Sequence, residues 1–197
     1  EGTGMSCRRG LAGAFALLLR SGCASAAPHY YTLTAAAERR SAVPPPASFV
    51  LRVEPGMLPE QLNQPQLVRR KSSGEIRLSD DAWWAAPLPE EIRSALSARL
   101  ERSLNTTEIS SLMPPAGKPV IALRVTVRQL DVWPQHQATL TARWQLQFGA
   151  AGNSLTCYSQ HQLAAPQDLP ALVVLQQKLI TTLADDVASA IKSQGCG

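Results

Sequence analysis

Hydrophobic and polar positions alternate most regularly in the second half of the chain. Ile121, Leu123, Val125 and Val127 interleave with Ala122, Arg124, Thr126 and Arg128. Ala138, Leu140, Ala142, Trp144, Leu146 and Phe148 interleave with Thr139, Thr141, Arg143, Gln145 and Gln147. A period of two sends successive side chains to opposite faces, so both runs are predicted as long strands with one buried face. A third run, Ser154 to Leu163, follows the turn at Gly149 to Asn153 and completes a three-stranded antiparallel meander. The period then lengthens: Leu169, Leu172, Val173, Gln176, Leu179, Ile180, Leu183, Val187 and Ile191 form one stripe. With Asp168 near its start and Lys192 near its end, this predicts a long amphipathic helix.

The first half repeats these themes in shorter pieces. Phe49 to Val53 is rich in β-formers and stops at Pro55-Gly56. Leu67 to Arg69 and Glu75 to Leu78 flank Lys71-Ser-Ser-Gly74, the layout of a hairpin. Between Trp83 and Leu104, Ile92, Leu96, Leu100 and Leu104 share a face, while Pro89, Glu90 and Glu91 suit a first helical turn. Residues 105–112 are read as a further short strand, ended by the Pro- and Gly-rich break Met113 to Pro119. Segregated strands with two helices define an α+β two-layer domain: a mainly antiparallel sheet with both amphipathic helices packed on one face.

The N-terminus reads as an address. Met5 is the expected start, preceded by Glu1 to Gly4; Arg8 and Arg9 supply a positive region, and Leu11 to Leu19 an apolar stretch of nine. That stretch is far short of the ~20 residues a membrane-spanning helix needs, so residues 1–22 are expected to be a secretory signal. Two cuts fit. Ser21-Gly22-Cys23 matches the end of a bacterial lipobox, with Cys23 acylated, although Arg20 stands where an aliphatic residue is usual. Ala24-Ser25-Ala26 fits ordinary signal cleavage and would release a soluble chain. Residues 23–47, rich in Ala, Ser and Pro, are expected to be a lipid-anchored tether with one short strand at 30–33, leaving 48–197 as a single domain.

Composition narrows the chemistry. The chain of 197 residues is 45% hydrophobic and 17% charged, with 19 basic against 15 acidic residues. That range is globular and long enough to bury a core. Arg69, Arg70 and Lys71 form the one tight basic cluster, which reads as a solvated hairpin turn, so no nucleic-acid partner is expected. The three histidines, His29, His136 and His161, sit in no HExxH, and GxSxG and glycine-rich phosphate loops are missing. A pairing of His161 with Asp131 or Asp168 and a serine is the weak alternative to a non-enzymatic reading. No cysteine or histidine spacing suggests metal, and no cofactor is expected. After export, Cys157 and Cys196 are either bridged or two separate thiols. Arg124, Arg128 and Arg143 share a polar sheet face, which is either a partner surface or ordinary solvated sheet.

Three segments carry a family resemblance. Tyr30-Tyr-Thr-Leu33 follows the lipobox-like Cys; Leu58-Pro-Glu-Gln-Leu62 precedes Pro65-Gln-Leu-Val-Arg69; Trp83-Trp-Ala-Ala-Pro-Leu88 opens a helical pattern. Together they resemble the PqiC/YmbA family of auxiliary lipoproteins in ABC-type, MCE-protein lipid transport systems. The chain departs from the family pattern at Leu67, at Trp83, where Arg is common, and at Arg20. The resemblance implies a non-enzymatic periplasmic subunit, tethered to the outer membrane of a Gram-negative bacterium through Cys23. It further implies a role in lipid transport and envelope integrity, with an MCE-domain protein as partner and a homo-oligomeric ring as an option. The partner contacts it suggests are Leu58, Pro59, Leu62, Pro65, Gln66, Arg69, Trp83, Trp84 and Pro87, with the tryptophans as either interface anchors or core. An adaptor of a secretion channel or cell-wall synthase, and a lipid-binding carrier, are the alternatives.

Overall fold

Seven strands and two long helices run along the described residues, 27–36, 42–110 and 112–196, of the computed structural model. In chain order these are β1 (His29–Tyr31), β2 (Val50–Val53), β3 (Gln66–Arg70), β4 (Ile76–Trp84), α1 (Leu88–Leu104), β5 (Val120–Trp133), β6 (Gln137–Phe148), β7 (Ser154–Ala164) and α2 (Leu169–Ser193). The class is α+β, and the meander β5-β6-β7 is antiparallel throughout. Its inner face carries Leu123, Val125, Val127, Leu140, Ala142, Trp144 and Leu146, all buried. Against them α1 sets Ile92, Leu96 and Leu100, and α2 sets Leu179, Ile180, Leu183 and Val187, so each helix buries the stripe its spacing marks.

The helix ends follow their residues. Asp168 caps α2 by accepting a hydrogen bond from the Ala171 amide at 3.1 Å, and Pro170 occupies the first turn. Asn105 closes α1 in the left-handed conformation with φ of 48°. Arg99 spans the two helices with a two-pronged ion pair to Asp185 at 2.8 and 3.0 Å. In the β6–β7 turn a Cβ on Gly152 would lie 1.6 Å from the Phe148 carbonyl oxygen, so only glycine fits there.

Three features depart from the sequence-based expectation. There are two sheets, ordered β2-β5-β6-β7 and β1-β4-β3, and each contains a parallel pair, β2 with β5 and β1 with β4. The reason lies on the outer edge of β5. Past β2 that edge is taken by Glu54 and Met57, whose amides bond Leu123 and Val125 carbonyls, while the intervening Pro55 has no amide to offer. A bulge beyond Val127 then re-aims β5, and the β3–β4 hairpin joins it through the Arg70–Asp131 ion pair at 2.6 Å. Residues 105–112 supply one bridge, Leu51 to Glu108, flanking the free edge of β2, in place of a strand. Finally Trp83 and Trp84 end β4 rather than open the helix, which starts at Leu88.

The short strand expected inside the tether is β1, hydrogen-bonded along β4. Leu33, just after it, is buried at 1% exposure. Cys157 on β7 and Cys196 beyond α2 form a disulfide with Cα atoms 5.6 Å apart. Cys23 and the rest of 1–26 lie outside the described residues.

Candidate functional site

The block from Leu58 to Leu88 folds as a short turn, the β3–β4 hairpin and the lead into α1. Pro59 starts a single 3-10 turn at Glu60–Leu62, in which the Leu62 amide bonds the Pro59 carbonyl at 2.9 Å. Pro65 leads into β3, and its carbonyl accepts the Trp84 amide at 2.8 Å, tying the start of the hairpin to its end. The next amide, Ala85, bonds the Tyr31 carbonyl at 2.8 Å. These bonds hold residues 63–65 against 84–88 across an open groove of about 350 Å³. Pro65, Trp84 and Pro87 line it, so the structure brings three of the proposed contact residues together.

Others in the set are placed elsewhere. Leu58 and Leu62 pack partly buried against the core and are not free to project. Trp84 is only 5% exposed, so most of its ring belongs to the core and it touches the groove by an edge. Trp83 is half-buried opposite Gln66, and its indole Nε1 is enclosed without a hydrogen-bond partner. Arg69 opens into a different cleft, beside Lys71 and Trp133. Arg124 and Arg143 border a shared depression on the outer sheet face, where Arg124 is paired with Glu54 at 2.5 Å. Arg128 lies at the β5 bulge, beside Leu62 and Arg70.

At the opening of α1, Arg93 grips the Glu90 carboxylate, and those hydrogen bonds hold the carboxyl below its ordinary range. The next residue, buried Glu91, accepts hydrogen bonds from the Thr32 hydroxyl at 2.7 Å and the Leu33 amide at 2.8 Å. Gln177 of α2 donates to the Thr32 carbonyl at 2.9 Å. Both helices therefore clamp the segment that follows β1. Nothing in the periodicity marks Glu91 for this, since it reads as one of two first-turn acids.

A serine, a histidine and an aspartate do meet, in an order that carries no nucleophilic chemistry. Ser159 Oγ donates to Asp186 Oδ2 at 2.6 Å, and His161 Nε2 lies 2.7 Å from the same oxygen. In a catalytic triad the imidazole stands between serine and carboxylate; here the carboxylate stands between. Ser159 Oγ also accepts from Trp144 Nε1 at 3.0 Å and is buried, so the hydroxyl is fully engaged. Asp131 is paired with Arg70 and Asp168 caps α2, so neither joins His161. The cluster pins β6, β7 and α2 together. Asp186→Ala, which strands the buried serine hydroxyl, is expected to cost about 2 kcal/mol in urea unfolding; an unchanged midpoint would reduce the cluster to decoration. Among the described residues, no group of three or more His, Cys, Asp or Glu could hold a metal ion.

The sequence model of the family described as "ABC-type transport auxiliary lipoprotein component" matches residues 31–188. The crystal structure of an uncharacterized protein shares the fold at a TM-score of 0.67 and 20% identity, over 84% of this chain and 99% of that one. A Xanthomonas campestris protein of family DUF330 follows at a TM-score of 0.61 and 16% identity, with the same coverage of 84% and 99%. No curated protein matches.

Proposed function

The chain belongs to the family of ABC-type transport auxiliary lipoproteins, and from that premise we propose that it is the non-enzymatic periplasmic subunit of an MCE-protein lipid transport system. The observation that carries the reading is the 58–88 block. Pro65 from its Pro-Gln element and Trp84, Pro87 and Leu88 from its Trp-x-x-Pro-Leu element, far apart in extended chain, meet at one ordered groove. Such a groove, apolar at Pro65, Trp84 and Pro87, suits an apolar segment of the MCE protein. The disulfide supports an oxidising compartment such as the periplasm. Assembly as a ring of identical copies is part of the same proposal.

The anchor is assigned to Cys23, with residues 1–22 removed and the tether beginning there. β1 starts at His29, six positions after Cys23. Six residues reach at most about 20 Å. The outer membrane and the folded body are then held close together, and Glu91 and Gln177 pass any pull on the tether into both helices.

The test is affinity purification of the full-length protein from membranes, with retained proteins identified by mass spectrometry. An MCE-domain protein and its ABC transporter are expected. Ala85→Arg, placing a charge at the exposed lip of the groove, should lower their recovery roughly tenfold or more, as loss of an interface anchor does. Recovery of a secretion channel or cell-wall enzyme in their place would overturn the reading.

A further inference from the structure

A second cavity, also about 350 Å³, lies between the tip of the β3–β4 hairpin and the β5–β6 turn. Arg69, Lys71 and Arg77 line one side; Trp133, Pro134 and His136 line the other, with the Trp133 and His136 ring centroids 4.2 Å apart and their planes tilted by 34°. Arg70 is committed to Asp131 and to the Ser73 carbonyl. Glu75 is the remaining acid, loosely paired with Lys71 at 3.4 Å and Arg77 at 3.7 Å. Four cations thus face two carboxylates, an excess of two positive charges, and the Arg69 guanidinium has no ion-pair or hydrogen-bond partner among the described residues.

The register sharpens the point. Arg69 and Arg77 are direct cross-strand partners. Like charges so placed repel and weaken a hairpin, a cost that an anion shared between them removes. Paired guanidinium groups match the oxygens of a phosphate, and the Trp133 and His136 rings wall one side of a cleft of headgroup size.

The fold also orients this cleft. β1 runs parallel to β4, with His29 level with Ala82. The chain therefore enters β1 from the hairpin end, and Arg77 lies five positions back along β4, at most about 17 Å. An anchor six residues before His29 reaches that level. We propose that this cleft binds the phosphate of an anionic phospholipid headgroup in the membrane that carries the chain; the phosphate chemistry stands on the cleft itself, whereas its membrane source rests on the anchor assigned above.

The test is calorimetric titration of the full-length protein in a non-ionic detergent with short-chain phosphatidylglycerol, with phosphatidylcholine of equal chain length, and with glycerol 3-phosphate. Saturable binding of phosphatidylglycerol, stronger than of phosphatidylcholine, is expected. The double variant Arg69→Gln/Arg77→Gln should bind it roughly ten- to hundredfold more weakly, yet unfold at the same or a higher temperature because the repulsion is gone. Absence of saturation by both anions, or wild-type affinity in the variant, overturns the site. Equal affinity for glycerol 3-phosphate overturns the membrane source. Capture of the transport partners by the same variant tells the two proposals apart, since it leaves the 63–65 and 84–88 groove intact.

Discussion

Replacing Cys157 and Cys196 together by alanine is expected to lower the unfolding free energy by about 4 kcal/mol. The pair closes a loop 39 positions long. In the unfolded chain that link removes most of the freedom of the segment holding β7 and all of α2, and a loop of this length corresponds to about 4 kcal/mol in the chain-entropy account. On the folded side, Cys157 is 2% exposed on β7 opposite Trp144, so alanine leaves a small void and no stranded polar group. Cys196 lies just past Gln194, where α2 ends in a left-handed residue, so without the bridge the last turn of α2 is held only by its own packing. The measurement is urea unfolding of the purified protein with and without reductant. The double alanine variant should coincide with reduced wild type, both well below the oxidised protein. A separation smaller than about 1 kcal/mol between oxidised and reduced curves would mean that the bridge merely records proximity.

How much of this was legible beforehand depends on the range of each interaction. The meander and α2 were readable because a period of two or of three to four persists over eight or more residues, and each is stabilised by one flat partner. The two parallel pairs were not, because β2 meets β5 and β1 meets β4 across more than fifty intervening residues, and four or three residues hold no periodicity that names a partner. Trp83 and Trp84 misled for a related reason. The helical pattern counts from Trp83 with its first turn at Pro89 to Glu91, yet the Trp84 and Ala85 amides bond the Pro65 and Tyr31 carbonyls, long-range partners that carry β4 on to Trp84. The basic cleft was hidden behind a sound generalisation, since a short charge run in a hairpin is usually solvated. The missed signal was arithmetic: a hairpin closed around Lys71 to Glu75 sets Arg69 opposite Arg77. The 58–88 block gave the reverse case. Its prolines identified an ordered surface, but the register alone could not tell that Leu62 packs inward and Pro65 faces the groove.

Glu91→Ala is expected to cost about 2–3 kcal/mol and to do so locally, by freeing the start of the folded body. The carboxylate is 5% exposed and accepts both the Thr32 hydroxyl and the Leu33 amide. Alanine leaves that amide, beside a leucine side chain exposed at only 1%, without an acceptor, and a buried donor in that state costs roughly 1–3 kcal/mol beyond the lost packing of the γ-methylene. Glu91→Gln separates charge from acceptor: its amide oxygen, in the place of Oε2, still takes both the Leu33 N–H and the Thr32 hydroxyl, so it should cost under about 1 kcal/mol. Hydrogen exchange distinguishes local from global loss. In Glu91→Ala the Ala85 amide, bonded to the Tyr31 carbonyl, and the amides of residues 31–33 should exchange faster, while the β5–β6 ladder keeps its wild-type protection. Equal acceleration everywhere would make Glu91 an ordinary core support. Selective acceleration makes it the latch between tether and body, because β1 then leaves β4 while the remaining clamp, Gln177 on the Thr32 carbonyl, holds a single exposed bond. A body so loosened should still fold and still present the 63–65 and 84–88 groove, but under the anchor proposed at Cys23 its distance from the membrane would no longer be set by the six positions from Cys23 to His29.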